Sequence, residues 1–251
     1  MKVIRSKIFE QFPELIFGIS AKTGFNRKAP FYFNMSLTVG DNPADVWENR
    51  TRFIEALGLK KDDVAFQKQI HSDIITVVDV PSFIGESDAM ITARKSVGLA
   101  ISTADCTPVF IYDKEKQVIA GIHSGWRGTE KRIVEKTLSR MFSDFGSRPE
   151  NLFAYIGPSI SKANYEVGEE VAALFAPKYF TETSPGKFLL DVKRMNYDFL
   201  INAGIPKENI QLSNVCSFEN SDMHSYRRDK ENSGRALGII AMKGTNETGK
   251  Y

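Results

Sequence analysis

One apolar run of the chain ends at Tyr112 and the next begins at Gln117, with only the polar "DKEK" between them. So short a connection joins antiparallel neighbours, and this hairpin restricts the possible folds more than any other feature of the sequence. A register with Tyr112 opposite Gln117 puts Cys106 opposite His123. Opposed residues carry their Cβ atoms about 4.5–5.5 Å apart, close enough for a thiolate and an imidazole to share one metal ion or one proton. A small buried cysteine and a hydrogen-bonded core histidine fit the same positions equally well. The residues after His123 favour a site. "SGWRGTEKR" supplies two glycines for close backbone approach, the cation of Arg127, and the start of a helix whose free N–H groups attract an anion.

Other segments fill in the architecture. "LIFGISAKTG" and "PFYFNMSLTVG" read as strands. Asp41 or Asn42 caps a helix through "PADVWENRTRFIEALGL", which Gly58 ends. "AFQKQIHSDIITVVDV" reads as strand followed by strand. A helix is expected from about Thr129 to Phe145, then a strand "LFAYIG", helices at "EVGEEVAALFA" and "KRMNYDFLINAG", and closing strands at "NIQLSNVCSF" and "RALGIIAM". Strands cluster without strict alternation with helices, so a mixed sheet with helices packed on it is expected. No linker or repeat divides the chain, which reads as one unit over 1–243 followed by a frayed polar tail, 244–251.

Basic and acidic side chains number 33 and 31 and are spread along the chain, so no footprint for nucleic acid or anionic membrane stands out, and small molecules are the expected partners. The N-terminus lacks the apolar core of a signal peptide and no segment is long enough to span a bilayer. With only Cys106 and Cys216, a disulfide framework is not expected and the cytoplasm is the expected compartment. Cys216 reads as structural. A third metal ligand has two candidates, His71 and His224, which spacing alone does not separate.

The blocks "QIHSD", "DAMIT", "STADCTPVFIYD", "GIHSGWRGT", "IGPSISKANYEVG" and "HSYRRDKENSGRALGII" occur in the order found in the laccase-domain family, also described as multicopper polyphenol oxidase or purine nucleoside phosphorylase proteins of the YfiH type. The sequence resembles that family from about Ser20 to Met242. The resemblance implies metal ligation by His71, Cys106 and His123, an α+β fold with mixed β-sheets layered with helices in a YfiH-like three-layer arrangement, and a zinc-dependent enzyme. Its implied substrates are phosphate with adenosine, inosine, guanosine or methylthioadenosine, with deamination of adenosine as a second activity. The chain departs from the family pattern at Lys22, in the place of an arginine, at Phe25, where a second glycine is expected, and at Thr38, in the place of a histidine, while Asn34 and Gly40 are kept. Asn34 is accordingly a candidate substrate contact.

Three other functional classes draw on the same residues. A multicopper oxidase needs about ten histidines and this chain has three, so copper at the same site supports only a side activity on phenols. A cysteine hydrolase would use Cys106 as nucleophile and His123 as its base. A binding protein with an inactive site is the third. In the preferred reading zinc is held by two imidazoles and a thiolate with one position open. Arg127, then Arg50 and Arg227, are candidates for seating phosphate, although each fits a surface ion pair as well. Asp105 is a candidate proton carrier or orienter of a ligand histidine, and Trp126 a candidate stacking platform or packing residue. Either a monomer or a homodimer is compatible with the sequence.

Overall fold

The run from Val97 to Asp113 breaks into two strands that lie in different sheets of the computed structural model, which describes residues 1–244. Gly98–Thr103 belongs to a first six-stranded sheet, ordered Val3–Ile4, Leu15–Ser20, Ala236–Met242, Gly98–Thr103, Val64–Lys68, Phe83–Glu86. Thr107–Asp113 belongs to a second, ordered Ile210–Leu212, Leu152–Ile156, Thr107–Asp113, Val118–Ser124, Ala89–Thr92, Ile75–Val77. Each sheet mixes parallel and antiparallel pairs. The chain passes from the first to the second at Ala104–Cys106. It makes the same passage between Val64–Lys68 and Ile75–Val77, and His71 lies on that crossover.

The sheets pack face to face through Ile19, Leu99, Ile101, Phe110, Tyr112 and Ile240, all fully buried. Gly238 permits the close approach, since a Cβ there would lie 2.5 Å from the Phe110 ring. The outer face of the second sheet is covered by helices Ile133–Phe145 and Val192–Asn202 through Val134, Leu138, Met141 and Leu200. The first sheet is covered by helix Pro43–Ala56 through Phe53 and Ile54. Helices thus flank a paired-sheet centre, as the α+β reading requires. The helix at Pro43–Ala56 starts as expected, with the Asn42 side chain accepting from the Ala44 N–H.

Several segments differ from the sequence reading. "PFYFNMSLTVG" forms turns instead of a strand, because the Asn34 side chain takes the Ser36 N–H and donates to the Ser36 carbonyl, replacing ladder bonds. The helix expected from Thr129 is two helices, Trp126–Glu130 and Ile133–Phe145, broken at Arg132 with φ 61°. "EVGEEVAALFA" yields only the strand Glu166–Gly168 and one turn of helix, Glu169–Ala172. That strand joins Lys187–Leu190 and Phe180–Ser184 in a third sheet, which the sequence reading missed. Its core of Tyr179, Leu190, Val192 and Met195 supports Trp126 and Tyr165. The tail beyond residue 244 lies outside the described residues.

Candidate metal centre and cavity

The hairpin forms, but with Asp113 opposite Val118 and Pro108 opposite His123, two residues away from the expected register. Asp113 remains in the strand and its Oδ1 accepts from the Glu115 and Lys116 N–H groups, while Gln117 takes φ 51° and belongs to the turn. A shift of two preserves the face each side chain occupies. Cys106 therefore still lies on the His123 side, diagonal to it. The position opposite Cys106 is filled by Gly125, where a Cβ would stand 2.8 Å from Cys106 Sγ and 3.2 Å from the His71 ring. Gly125 makes room for the thiol and the imidazole together.

His71, Cys106 and His123 offer one ligand atom each, all within 4.8 Å of one another. Cys106 Sγ lies 3.8 Å from His71 Nε2, and the two imidazoles stand edge to face with centroids 4.9 Å apart. A tetrahedral ion with bonds of about 2.3 Å to sulfur and 2.0 Å to nitrogen separates those donors by about 3.5 Å. Two nitrogens and a thiolate at this spacing fit a soft or borderline divalent ion with a coordination position to spare. His224 is elsewhere. It is 1% exposed, lies against Gly234 and Phe33, and burial holds it neutral, with its pKa down to about 3.

The residue that organises this set is Asp88, fully buried at the start of Ala89–Thr92. Its carboxylate accepts from the backbone N–H groups of Ile70, His71 and Ser72 at 3.2, 3.1 and 2.6 Å, from Ser72 Oγ at 2.6 Å and from His123 Nδ1 at 2.8 Å. Three successive amides around one anion make a nest, and the left-handed φ of 60° at His71 shapes it. One carboxylate therefore fixes the loop of one ligand and the tautomer of the other, leaving His123 Nε2 for a metal. Burial pushes the Asp88 carboxyl up, but its bonds to His123 and Ser72 outweigh this and bring it to about 2. Burial likewise opposes the Cys106 thiolate, yet His123 and His71 bring that thiol down to about 6. His123 would be lowered by burial, but Cys106 and Asp88 raise it to about 9. Without metal the pair holds a proton that a cation would displace.

The set opens into a cavity of about 1380 Å³. Seven Lys and Arg side chains line it against two aspartates, Asp62 and Asp105. Asp105 is not an orienter of histidine. It adopts φ 82°, and its two oxygens accept from Ser217 Oγ at 2.6 Å and the Arg227 N–H at 2.7 Å. It fastens two loops at the cavity wall. Arg227 lies over the Tyr165 ring at 5.2 Å. Arg127 is exposed and stacks on Trp126 at 4.2 Å. Arg235 was not foreseen. It follows the buried Gly234, its Nη1 donates to the Ser233 and Gly234 carbonyls at 2.7 and 3.0 Å, and no carboxylate pairs with it among the described residues. Arg50 reaches the cavity from helix Pro43–Ala56, with its Nε donating to the carbonyl of Met35, whose own N–H donates to the Arg235 carbonyl. Asn34 does not line the cavity: it is fully buried, and its amide is spent on Ser36, Asp41 and the Arg235 N–H. Lys22, paired with Asp229, does not line it either, whereas Thr38 does. Cys216 is buried, with Sγ accepting from the Ser161 N–H.

Paired mixed sheets whose two crossovers carry His71 and Cys106 up to His123, on a strand of the second sheet, define a metal-competent protein with a large cation-lined cavity. The chain belongs to the family described as multi-copper polyphenol oxidoreductase laccase, whose model matches residues 17–243. It is similar to a purine nucleoside phosphorylase of Deinococcus radiodurans, with 40% identity over 80% of this chain and 79% of that one. It is similar also to purine nucleoside phosphorylase YlmD of Bacillus subtilis, at 32% over 92% and 89%. Among solved structures, YlmD from Geobacillus stearothermophilus superposes with TM-score 0.90 at 29% identity, covering 97% of each chain, and hypothetical protein YfiH of Bacillus licheniformis with 0.88 at 31%, covering 94% of each. The family's description notwithstanding, three histidines, one of them buried elsewhere, do not build a multicopper centre.

Proposed function

We propose that the chain is a zinc-dependent purine nucleoside phosphorylase acting in the cytoplasm as one catalytic unit over residues 1–243, cleaving adenosine, inosine, guanosine or methylthioadenosine and deaminating adenosine to inosine. The observation that carries this reading is the His71, Cys106 and His123 set at the wall of a cation-lined cavity, in a chain whose relatives bear the phosphorylase name. These three residues would hold the zinc. When bound, it supplies Lewis acidity to the reacting purine or to an attacking water.

In phosphorolysis a phosphate oxygen bonds to the sugar C1′ as the C1′–N9 bond breaks, and the bonding pair leaves with the purine. The protein's main task is to hold phosphate against C1′ and to balance its charge as that bond forms. Arg127, Arg227 and Arg235 are the cations near Cys106 for this purpose, and Asp105 holds Arg227 in place. Tyr165 and Trp126 line the cavity, each with an arginine over its ring, and a purine would stack against these aromatic and guanidinium pairs. A second reading, in which Cys106 is a nucleophile activated by His123, draws on the same lowered thiol pKa of about 6. Copper at the same ligands would give weak phenol oxidation as a side activity.

Adenosine incubated with the protein, with and without phosphate, tests the assignment. Chromatography is expected to find adenine only when phosphate is present, and inosine in both cases. Adenine released equally fast without phosphate would mean hydrolysis and would overturn the phosphorylase reading.

A further inference from the structure

The cations of the cavity are carried by two sets of elements. One set is Arg127, two residues after the Gly125 that abuts Cys106, with Arg227, tied to Asp105, Lys230 just after it, and Arg235, which precedes Ala236 opposite Thr103. The other set is carried by helix Pro43–Ala56 and the short segment Lys61–Asp63. There the Arg50 guanidinium lies 4.9 Å from the Trp47 centroid and 4.6 Å from that of Phe66, its Nε donates to the Met35 carbonyl at 2.7 Å, and Lys61 Nζ lies 4.1 Å from the Trp47 centroid. Arg50 is half-buried and lines the cavity, yet no carboxylate pairs with it or with Lys61 among the described residues. Lys68, by contrast, is spent on Glu86. Gln67 also lines the cavity, and neither polar atom of its amide has a hydrogen-bond partner among the described residues.

A guanidinium fixed by two rings and one carbonyl, with its remaining N–H groups unpaired, is a preorganised receptor for a phosphoryl group. The metal end already has cations for inorganic phosphate. The cavity also exceeds the ~300–1,000 Å³ that ordinarily encloses a drug-sized ligand. We infer that the Arg50 and Lys61 end binds a phosphoryl group carried by the substrate itself, so that the cavity takes a purine nucleoside monophosphate in preference to the bare nucleoside. This rests on the phosphorylase reading. With such a substrate, inorganic phosphate bonds to C1′ as C1′–N9 breaks. The electron pair leaves with the purine, whose ring nitrogen takes the proton that hydrogen phosphate gives up as it becomes an ester, and the sugar departs as a pentose 1,5-bisphosphate.

The test compares AMP with adenosine, using calorimetric titration in phosphate-free buffer and product analysis with phosphate added. AMP is expected to bind about tenfold tighter or better, and to yield adenine with phosphate. Arg50→Ala should erase most of that preference and Arg50→Lys only part, in variants whose cooperative melting shows that they fold. Equal affinity for AMP and adenosine in the wild type would overturn the inference. So would an Arg50→Ala variant that keeps the AMP preference but raises the KM for inorganic phosphate, since the guanidinium would then seat the co-substrate. If adenosine and AMP both bind and neither is cleaved, the phosphorylase reading fails, while the affinity ratio still decides what this end of the cavity holds.

Discussion

Asp88→Asn is expected to weaken metal binding by about 10- to 100-fold and to lower stability by about 3 kcal/mol. The substitution keeps the shape of a side chain that is 0% exposed but replaces one oxygen by an N–H donor. That donor must face amides that also donate, because Ile70, His71 and Ser72 all point their N–H groups at the carboxylate. The alternative flip sets it against His123 Nδ1, so either the His71 loop loosens or His123 presents the wrong tautomer. Competition with a chromophoric chelator and urea unfolding measure the two effects. Wild-type affinity in the variant would mean that the ligands are positioned without Asp88.

Cys106→Ser separates the two chemistries that the thiol can serve. On the metal reading the variant loses zinc and phosphorolysis together, by roughly a thousandfold in rate, or about 4 kcal/mol. A hydroxyl does not ionise near neutral pH, whereas the thiol of Cys106 is held down to about 6 by the imidazoles beside it. Cys216→Ser is the control, because that sulfur is buried away from the cavity and a hydroxyl also accepts from the Ser161 N–H. It is expected to retain activity. A Cys106→Ser protein that keeps its zinc but loses turnover would favour the nucleophile.

How far the site was legible follows from which interactions are local. The hairpin was visible because two apolar runs flank a short polar turn, and the meeting of Cys106 with His123 survived an error in register because the error was even. An odd error would have sent the side chains to opposite faces. The division of 97–113 between two sheets was not visible, since a continuous apolar run has the same composition whether or not it changes sheet. His71 came from the family pattern alone, as its loop is set by a carboxylate 17 residues further on, just before a different strand. Asp88 stood in a recognised block, "DAMIT", yet nothing in the spacing shows an aspartate collecting amides 16 to 18 residues earlier and an imidazole 35 later. Asn34 failed as a substrate contact for a related reason: a kept residue served the backbone of Arg235 rather than the cavity. The third sheet was missed because its strands, of 3, 5 and 4 residues, are too short for periodicity to register.

Metal analysis of protein purified without chelator, followed by turnover before and after metal removal, bears most directly on the central claim that His71, Cys106 and His123 hold the zinc on which phosphorolysis depends. The account predicts one zinc per chain, loss of phosphate-dependent adenine release when zinc is stripped, and recovery when it is returned. Undiminished phosphate-dependent release from protein that contains no stoichiometric metal would contradict it.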